Sequence, residues 1–251
     1  MSAATLSHGL GRNLISFDND RASDSPLIER VWRCHSERAG IFLSVASSHW
    51  EMVITRLNGK SIVTLRGPET RPTEVLCPAN GEWLAIRFKA GTFMPQLPAH
   101  RLMNNPGVNL PQLSPRSFLL DGRKWELPTF DNAESFVNRL VNKGLVARDP
   151  EITAALRSEP TTISTRSAQR RFLQVIGMTH NTLRQIERAR FALNLLREDV
   201  AIADVVWQCG FYDHAHLTRS LRRWIGITPT EINRADTQLS FLYKTEGFPL
   251  R

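Results

Sequence analysis

The feature that most restricts the fold of this chain is a repeat. Residues 167–179 lie over residues 216–228 at an offset of 49. Arg170 matches Arg219, Ile176 matches Ile225, Gly177 matches Gly226 and Thr179 matches Thr228. The apolar positions 168, 172, 175 and 176 match 217, 221, 224 and 225. That is i, i+4, i+7, i+8 spacing, one face of a helix. In both copies a glycine ends the stripe and a threonine is placed to cap the next helix. Two equivalent helices therefore each need a bed to bury the same face.

A short helix is expected before each copy. Asp149-Pro150 supplies an N-cap followed by proline at the first helical position and opens residues 151–158. Residues 202–209 form a second apolar stretch that Gly210 stops. Short helix, tight turn and longer helix with a basic outer face is the helix-turn-helix pattern. Between the copies, Leu183, Ile186, Ala189, Leu193 and Leu196 share one face of a linker helix over residues 179–198. At about 1.5 Å per residue such a helix is roughly 28 Å long. It is a stiff spacer, able to hold two helices about 34 Å apart, one turn of DNA. Residues 161–234 hold 11 arginines against 6 acidic residues. Arginine can fork onto guanine or clamp a phosphate.

The N-terminal half has another rhythm. Residues 41–45, 52–54, 61–65 and 84–88 are short runs with a period near two. Asn58-Gly59 is a hairpin signal, and Gly67-Pro68 and Asn80-Gly81 mark further turns. These runs predict a β-meander or small barrel. Residues 91–130, rich in Pro, Asn and Gly, read as loops and short strands crossing it. Phe136, Val137, Leu140 and Val141 then predict a helix over 131–144 that bridges the halves. The fold class is α+β: a β-barrel-like domain over residues 1–125, a connecting helix over 126–148, a double helix-turn-helix domain over 149–234, and an unassigned tail over 235–251.

Composition narrows the function classes. The chain has 251 residues, 41% hydrophobic and 22% charged, ordinary globular usage. No stretch approaches the ~18 apolar residues of a membrane span, and residues 1–12 do not read as a secretory signal. Cys34, Cys77 and Cys209 are scattered and odd in number, as in a reducing cytosol. These features predict a cytoplasmic protein with no membrane association. A formal net charge of +8 favours a polyanionic partner.

Glu187-Arg188-Ala189-Arg190, Cys209-Gly210-Phe211, Arg219, Arg222-Arg223, Gly226 and Thr228-Pro229 stand in register with one another. Over residues 149–234 the chain resembles an AraC/XylS-type transcription regulator. Leu217 and Leu221 replace two usual phenylalanines, Ala201 replaces a polar cap, and Ala168 stands where leucine is common. The resemblance implies double-stranded DNA as partner, read by Arg166, Gln169 and Arg170 from the first recognition helix. His214, Ala215, Thr218 and Arg219 would read from the second, with Arg222 and Arg223 as phosphate contacts. Residues 26–32, 67–68 and 87–91 are similar to the cupin-like N-terminal β domain of a subgroup of such regulators. That likeness implies a small-molecule effector or self-association as a homodimer, with RNA polymerase as a further partner. No cofactor is implied.

Blander readings stand beside these. Phe172, Leu221, Trp224 and Cys209 read as core, Arg222 and Arg223 equally as a solvated face, and Asp213 as an N-terminal charge favoured by the helix dipole. His35, His49 and His100 have no metal-ligand spacing. The alternative reading is a DNA-targeted enzyme with a metal or a methyl-accepting cysteine, Cys34 or Cys77, in the N-terminal domain. Neither a phosphate-binding loop nor a hydrolase signature supports it, so the expected answer is not an enzyme.

Overall fold

The computed structural model describes residues 14–232. The N-terminal stretch read for a signal and the tail 235–251 lie outside the described residues. In chain order the β part has β1 (Ile15–Ala22), β2 (Ile28–Ser36), β3 (Gly40–Ser44), β4 (Glu51–Leu57), β5 (Lys60–Arg66), β6 (Thr73–Cys77) and β7 (Glu82–Phe88). The crossing segment contributes β8 (Thr92–Phe93), α1 (Ala99–Leu102), β9 (Val108–Leu110), β10 (Gln112–Ser114), β11 (Ser117–Leu120) and β12 (Arg123–Glu126). Next come α2 (Ala133–Asn142) and β13 (Ala147–Arg148). The helical part is α3 (Pro150–Leu156), α4 (Thr165–Val175), α5 (His180–Arg197), α6 (Ile202–Gln208), α7 (His214–Trp224) and α8 (Pro229–Ile232).

Asn58 and Gly59, with φ of 50° and 74°, form the two-residue turn joining β4 to β5, where Leu57 pairs Lys60. Both positive angles match the twist of the flanking strands. The larger arrangement departs from a meander. The main sheet has six strands in the order β1-β2-β7-β4-β5-β9, and β3 pairs β6 in a ladder of their own. With β1 and β9 as edges, its hydrogen bonds among the described residues do not close into a barrel. Within this sheet only β1-β2 and β4-β5 join strands consecutive in the chain, because β3 and β6 leave it to cover one of its faces.

Alternation along the strands loads the two faces differently. Met52, Ile54, Val63, Leu65, Leu84, Ile86 and Phe88 are buried on one face. They share a core with Phe118 and Trp125 of the crossing strands and with Phe136, Val137 and Leu140 of α2. That helix thus packs on the sheet. Arg21 of β1 pins it with a forked ion pair to Glu134, which holds that carboxyl at about 2. The opposite face presents Trp32, Cys34 and Ala85 to Phe42 and Cys77 of the β3–β6 pair.

The helices bury their apolar faces in a second core. The β part enters it through Val45 and Ala46, in the loop after β3. Ala46 N donates to Trp224 O (2.9 Å), at the end of α7. The repeated glycines, Gly177 and Gly226, end α4 and α7 with φ of 87° and 93°. Both also lie close under the β part. A Cβ at Gly177 would sit 3.3 Å from the Ala99 backbone, and one at Gly226 would sit 3.0 Å from Leu43. Glycine is therefore favoured at each position by its left-handed backbone, and an added Cβ would also crowd the β part.

Candidate nucleic-acid interface

The candidate interface is built on α4 and α7. Ser164 caps α4, its hydroxyl accepting from Ser167 N (3.3 Å). Asp213 caps α7, its carboxylate accepting from His216 N (2.6 Å). The N-terminal charge read in the sequence is thus a cap, which satisfies one of the free amides of the first turn. Below the caps, Phe172, Val175 and Ile176 of the first unit and Leu217, Leu221, Trp224 and Ile225 of the second are buried. Ala168 is only half-buried, whereas its counterpart Leu217 is fully buried.

With those faces buried, the opposite faces point outward. Arg166, Gln169 and Arg170 on α4, and His214, Ala215 and Arg219 on α7, are exposed; Thr218 is half-buried. The other arginines of the repeats are engaged. Arg171 places Nε and Nη2 on Asp149 (2.9 Å each), the N-cap of α3. Arg222 donates to Glu231 (3.0 Å), and the Arg223 guanidinium lies 4.4 Å from the centre of the Trp224 ring. Arg222 and Arg223 nevertheless remain exposed on the outer surface of α7.

The strut between the units is α5, 18 residues and so about 27 Å long at ~1.5 Å per residue. Leu183, Ile186, Ala189, Leu193 and Leu196 are buried, as their spacing predicts, and so are Glu187, Ala192 and Arg190. Each polar member of the Glu187-Arg188-Ala189-Arg190 segment fixes the strut to something. Glu187 accepts from Ser48 Oγ (2.7 Å), and Arg190 Nη1 donates to Ala46 O (3.1 Å). Arg188 lies 4.5 Å from the Phe211 ring centre, beside the turn at Gly210.

Sequence reasoning missed two exposed aromatics in the second unit, Trp207 (82%) on α6 and Tyr212 (91%) after the turn. An aromatic residue within an apolar stretch reads as core, and nothing in the sequence marks these two otherwise. It also missed His216, whose Nδ1 accepts from Tyr212 N (3.3 Å) and whose ring meets Phe211 edge-on.

The β part holds a cavity of about 610 Å³ between the second face of the sheet and the β3–β6 pair. Trp32, Phe42, Val53, Trp83, Thr55 and Glu74 are among its walls. The cysteines of the enzyme alternative are buried. Burial, with Asp18 nearby, pushes the Cys34 thiol up to about 12, and burial raises Cys77. Thiolate is the nucleophilic form, so both are poorly activated. Among the described residues no three His, Cys, Asp or Glu side chains group as metal ligands. No helix there is long and apolar enough to cross a membrane.

Comparison with known proteins agrees with the geometry. A family model described as a helix-turn-helix domain matches residues 158–235, which include both capped helices and the strut. No curated protein and no solved structure matches the chain. Residues 158–235 are a DNA-binding helix-turn-helix domain of the AraC/XylS type, the mark of a transcription regulator.

Proposed function

We propose that the chain is a sequence-specific regulator that docks α4 and α7 in successive major grooves on one side of a duplex. The observation that carries this reading is the repeat in three dimensions: two helices with matching caps, matching buried stripes and matching outward arginines. Gln169 suits adenine, and Arg170 and Arg219 suit guanine or phosphate. Ala215 offers an apolar contact to a thymine methyl, while Arg166, His214 and Thr218 extend the two surfaces. Among the described residues, Arg166, Arg170 and Arg219 have no ion-pair partner, so they reach DNA without first breaking a bond. Arg222 and Arg223 serve as phosphate contacts at the outer end of α7.

Control is assigned to the β part. Its cavity of about 610 Å³ falls within the ~300–1,000 Å³ range of small-molecule sites. The contacts of Ala46 and Ser48 with α7 and α5 give an occupant a physical route to the readers. Effector binding would shift the population of DNA-competent states. The family likeness adds a second copy of the chain and RNA polymerase as partners, and a cupin-like fold for the β part.

Selection of binding sites from random duplexes tests the reading. The expected product is a bipartite motif, with half-sites about one helical turn apart. Recovery of no preferred sequence from a folded chain would contradict it.

A further inference from the structure

Arg190, on the inner face of α5, has a side-chain arrangement that the helix-turn-helix function does not use. It is 2% exposed. Its Nη1 donates to the Ala46 carbonyl (3.1 Å), while Nε and Nη2 meet no hydrogen-bond partner among the described residues. Nε–H and Nη2–H run parallel along one edge of the guanidinium, the edge that takes a carboxylate in two-pronged fashion. Elsewhere in this molecule that edge does so. Arg30 places it on Asp20 (2.6 and 2.7 Å). Arg87 and Arg171 bring both nitrogens of that edge onto one carboxylate oxygen, Glu51 Oε1 (2.8 Å each) and Asp149 Oδ2 (2.9 Å each). Arg190 is more deeply buried than Arg171, yet no carboxylate of the described residues lies within ion-pair distance of it. Glu187, Glu29 and Glu51 act on it only through space, each already engaged by Ser48, His49 or Arg87.

Arg190 lines a cavity of about 40 Å³ at the seam between the β part and α5. The other charged walls cancel in pairs, Arg87 with Glu51 and Arg66 with Glu69. His49, a further wall, pairs with Glu29, so Arg190 is the charged wall that no ion pair among the described residues engages. We propose that this seam cavity is a binding site for the carboxylate of a small molecule, held by the Nε/Nη2 edge of Arg190. A single water needs roughly 10–15 Å³ of such space, so the cavity admits a head group of formate or acetate size. Phe42, Glu51, Arg66 and Glu69 are walls both of this cavity and of the 610 Å³ one. The carboxylate can therefore belong to a free small acid or to a longer molecule whose apolar body lies against Val53 and Trp83.

The test uses the full chain in a buffer whose only anion is a bulky sulfonate. Acetate and then hexanoate are titrated, followed by calorimetry and thermal unfolding. The proposal expects one equivalent bound and a saturable rise in Tm of several degrees. Arg190→Met abolishes both. Glu69→Gln, which releases the Arg66 guanidinium beside the cavity, tightens acetate about tenfold. Hexanoate binding tenfold or more tighter than acetate assigns the site to the head of a longer molecule; equal affinities assign it to a free small acid. A Tm that follows ionic strength alike for acetate and sulfonate overturns the proposal, as does an Arg190→Met chain that still binds. Should Arg190→Met lack the native circular-dichroism spectrum, Arg190→Lys decides. It keeps the charge and loses the fork, so acetate must weaken about tenfold, and an unchanged affinity overturns the proposal. Duplex binding by the unaltered chain in the sulfonate buffer keeps failure of this site separate from failure of the DNA reading.

Discussion

The two helix-turn-helix units share a sequence pattern and are held together by different means. In the second, the stripe is fully buried, through Leu217, Leu221, Trp224 and Ile225, and the turn is made by Gly210 with φ of 66°. The short helix α6 starts at Ala201 with no side-chain cap. In the first, Ala168 fills less of the core and the turn has no glycine. Polar contacts do more of the work there. Asp149 caps α3 through Ile152 N (3.1 Å) and takes Arg171 from α4, while Glu151 accepts from Thr162 N (2.9 Å) in the turn. Both units bury a stripe and cap the longer helix, and the first adds an ion pair and a polar turn contact where Ala168 fills less of the core. A duplicated pattern thus constrains the shape of a unit more tightly than it constrains what stabilises it.

The largest expected effect tests that contrast at matched positions. Leu217→Ala should cost ~2–5 kcal/mol of stability, as buried leucine truncations do. Ala168→Gly should cost only about 1 kcal/mol, mostly helix propensity. Denaturant titration measures both, and equal losses would erase the distinction.

Next in size is a functional comparison. Arg219→Ala should weaken the selected site by ~1–3 kcal/mol and random DNA much less. Arg171→Ala, whose guanidinium is committed to Asp149, should leave the preference for that site intact. Competition binding separates them, and a specificity loss from Arg171→Ala would place that residue in the interface.

A smaller effect concerns the caps. Asp149→Ala loses a cap worth about 1 kcal/mol and an ion pair, partly open to solvent, worth ~0–1 kcal/mol. Asp213→Ala loses a cap alone, so thermal unfolding should rank Asp149→Ala as the more damaging. The reverse order would mean that charge does not hold the first unit.

The smallest expected effect is on pH dependence. Burial alone would raise the Glu29 carboxyl, but the charges of His49, Arg87 and Arg190 overcome it and hold it at about 2 against the usual 4.5. A carboxyl lowered in the folded state adds stability that is complete above pH 4.5 and is lost as the pH falls toward 2. Glu29→Gln should therefore flatten the acid limb of a stability–pH curve between those values. An unchanged limb would remove Glu29 from the seam's charge balance.

Local signals were legible in the sequence. Asn58-Gly59, the alternating runs, Asp149-Pro150 and the glycine-ended stripes each depend on neighbours within one turn or one hairpin. The order of the six-stranded sheet was not legible, because β7 inserts between β2 and β4 by long-range pairing that no local pattern specifies. The charged members of the linker helix were legible only as a family mark. Their partners, Ser48 and Ala46, lie 139 and 144 residues away along the chain. The outward faces of α4 and α7 followed from the stripes by subtraction, since what is not buried in a capped helix points to solvent. Trp207 and Tyr212 broke that logic: apolar residues on the surface look like core until the packing is known.

Hydroxyl-radical and methylation-interference footprinting of the full chain on its selected duplex tests the central claim most directly. Two major-groove patches about 10 base pairs apart on the same face are expected, the patch assigned to α7 fading in Arg219→Ala and the patch assigned to α4 in Arg170→Ala. A single patch, or two patches on opposite faces of the duplex, would contradict the account.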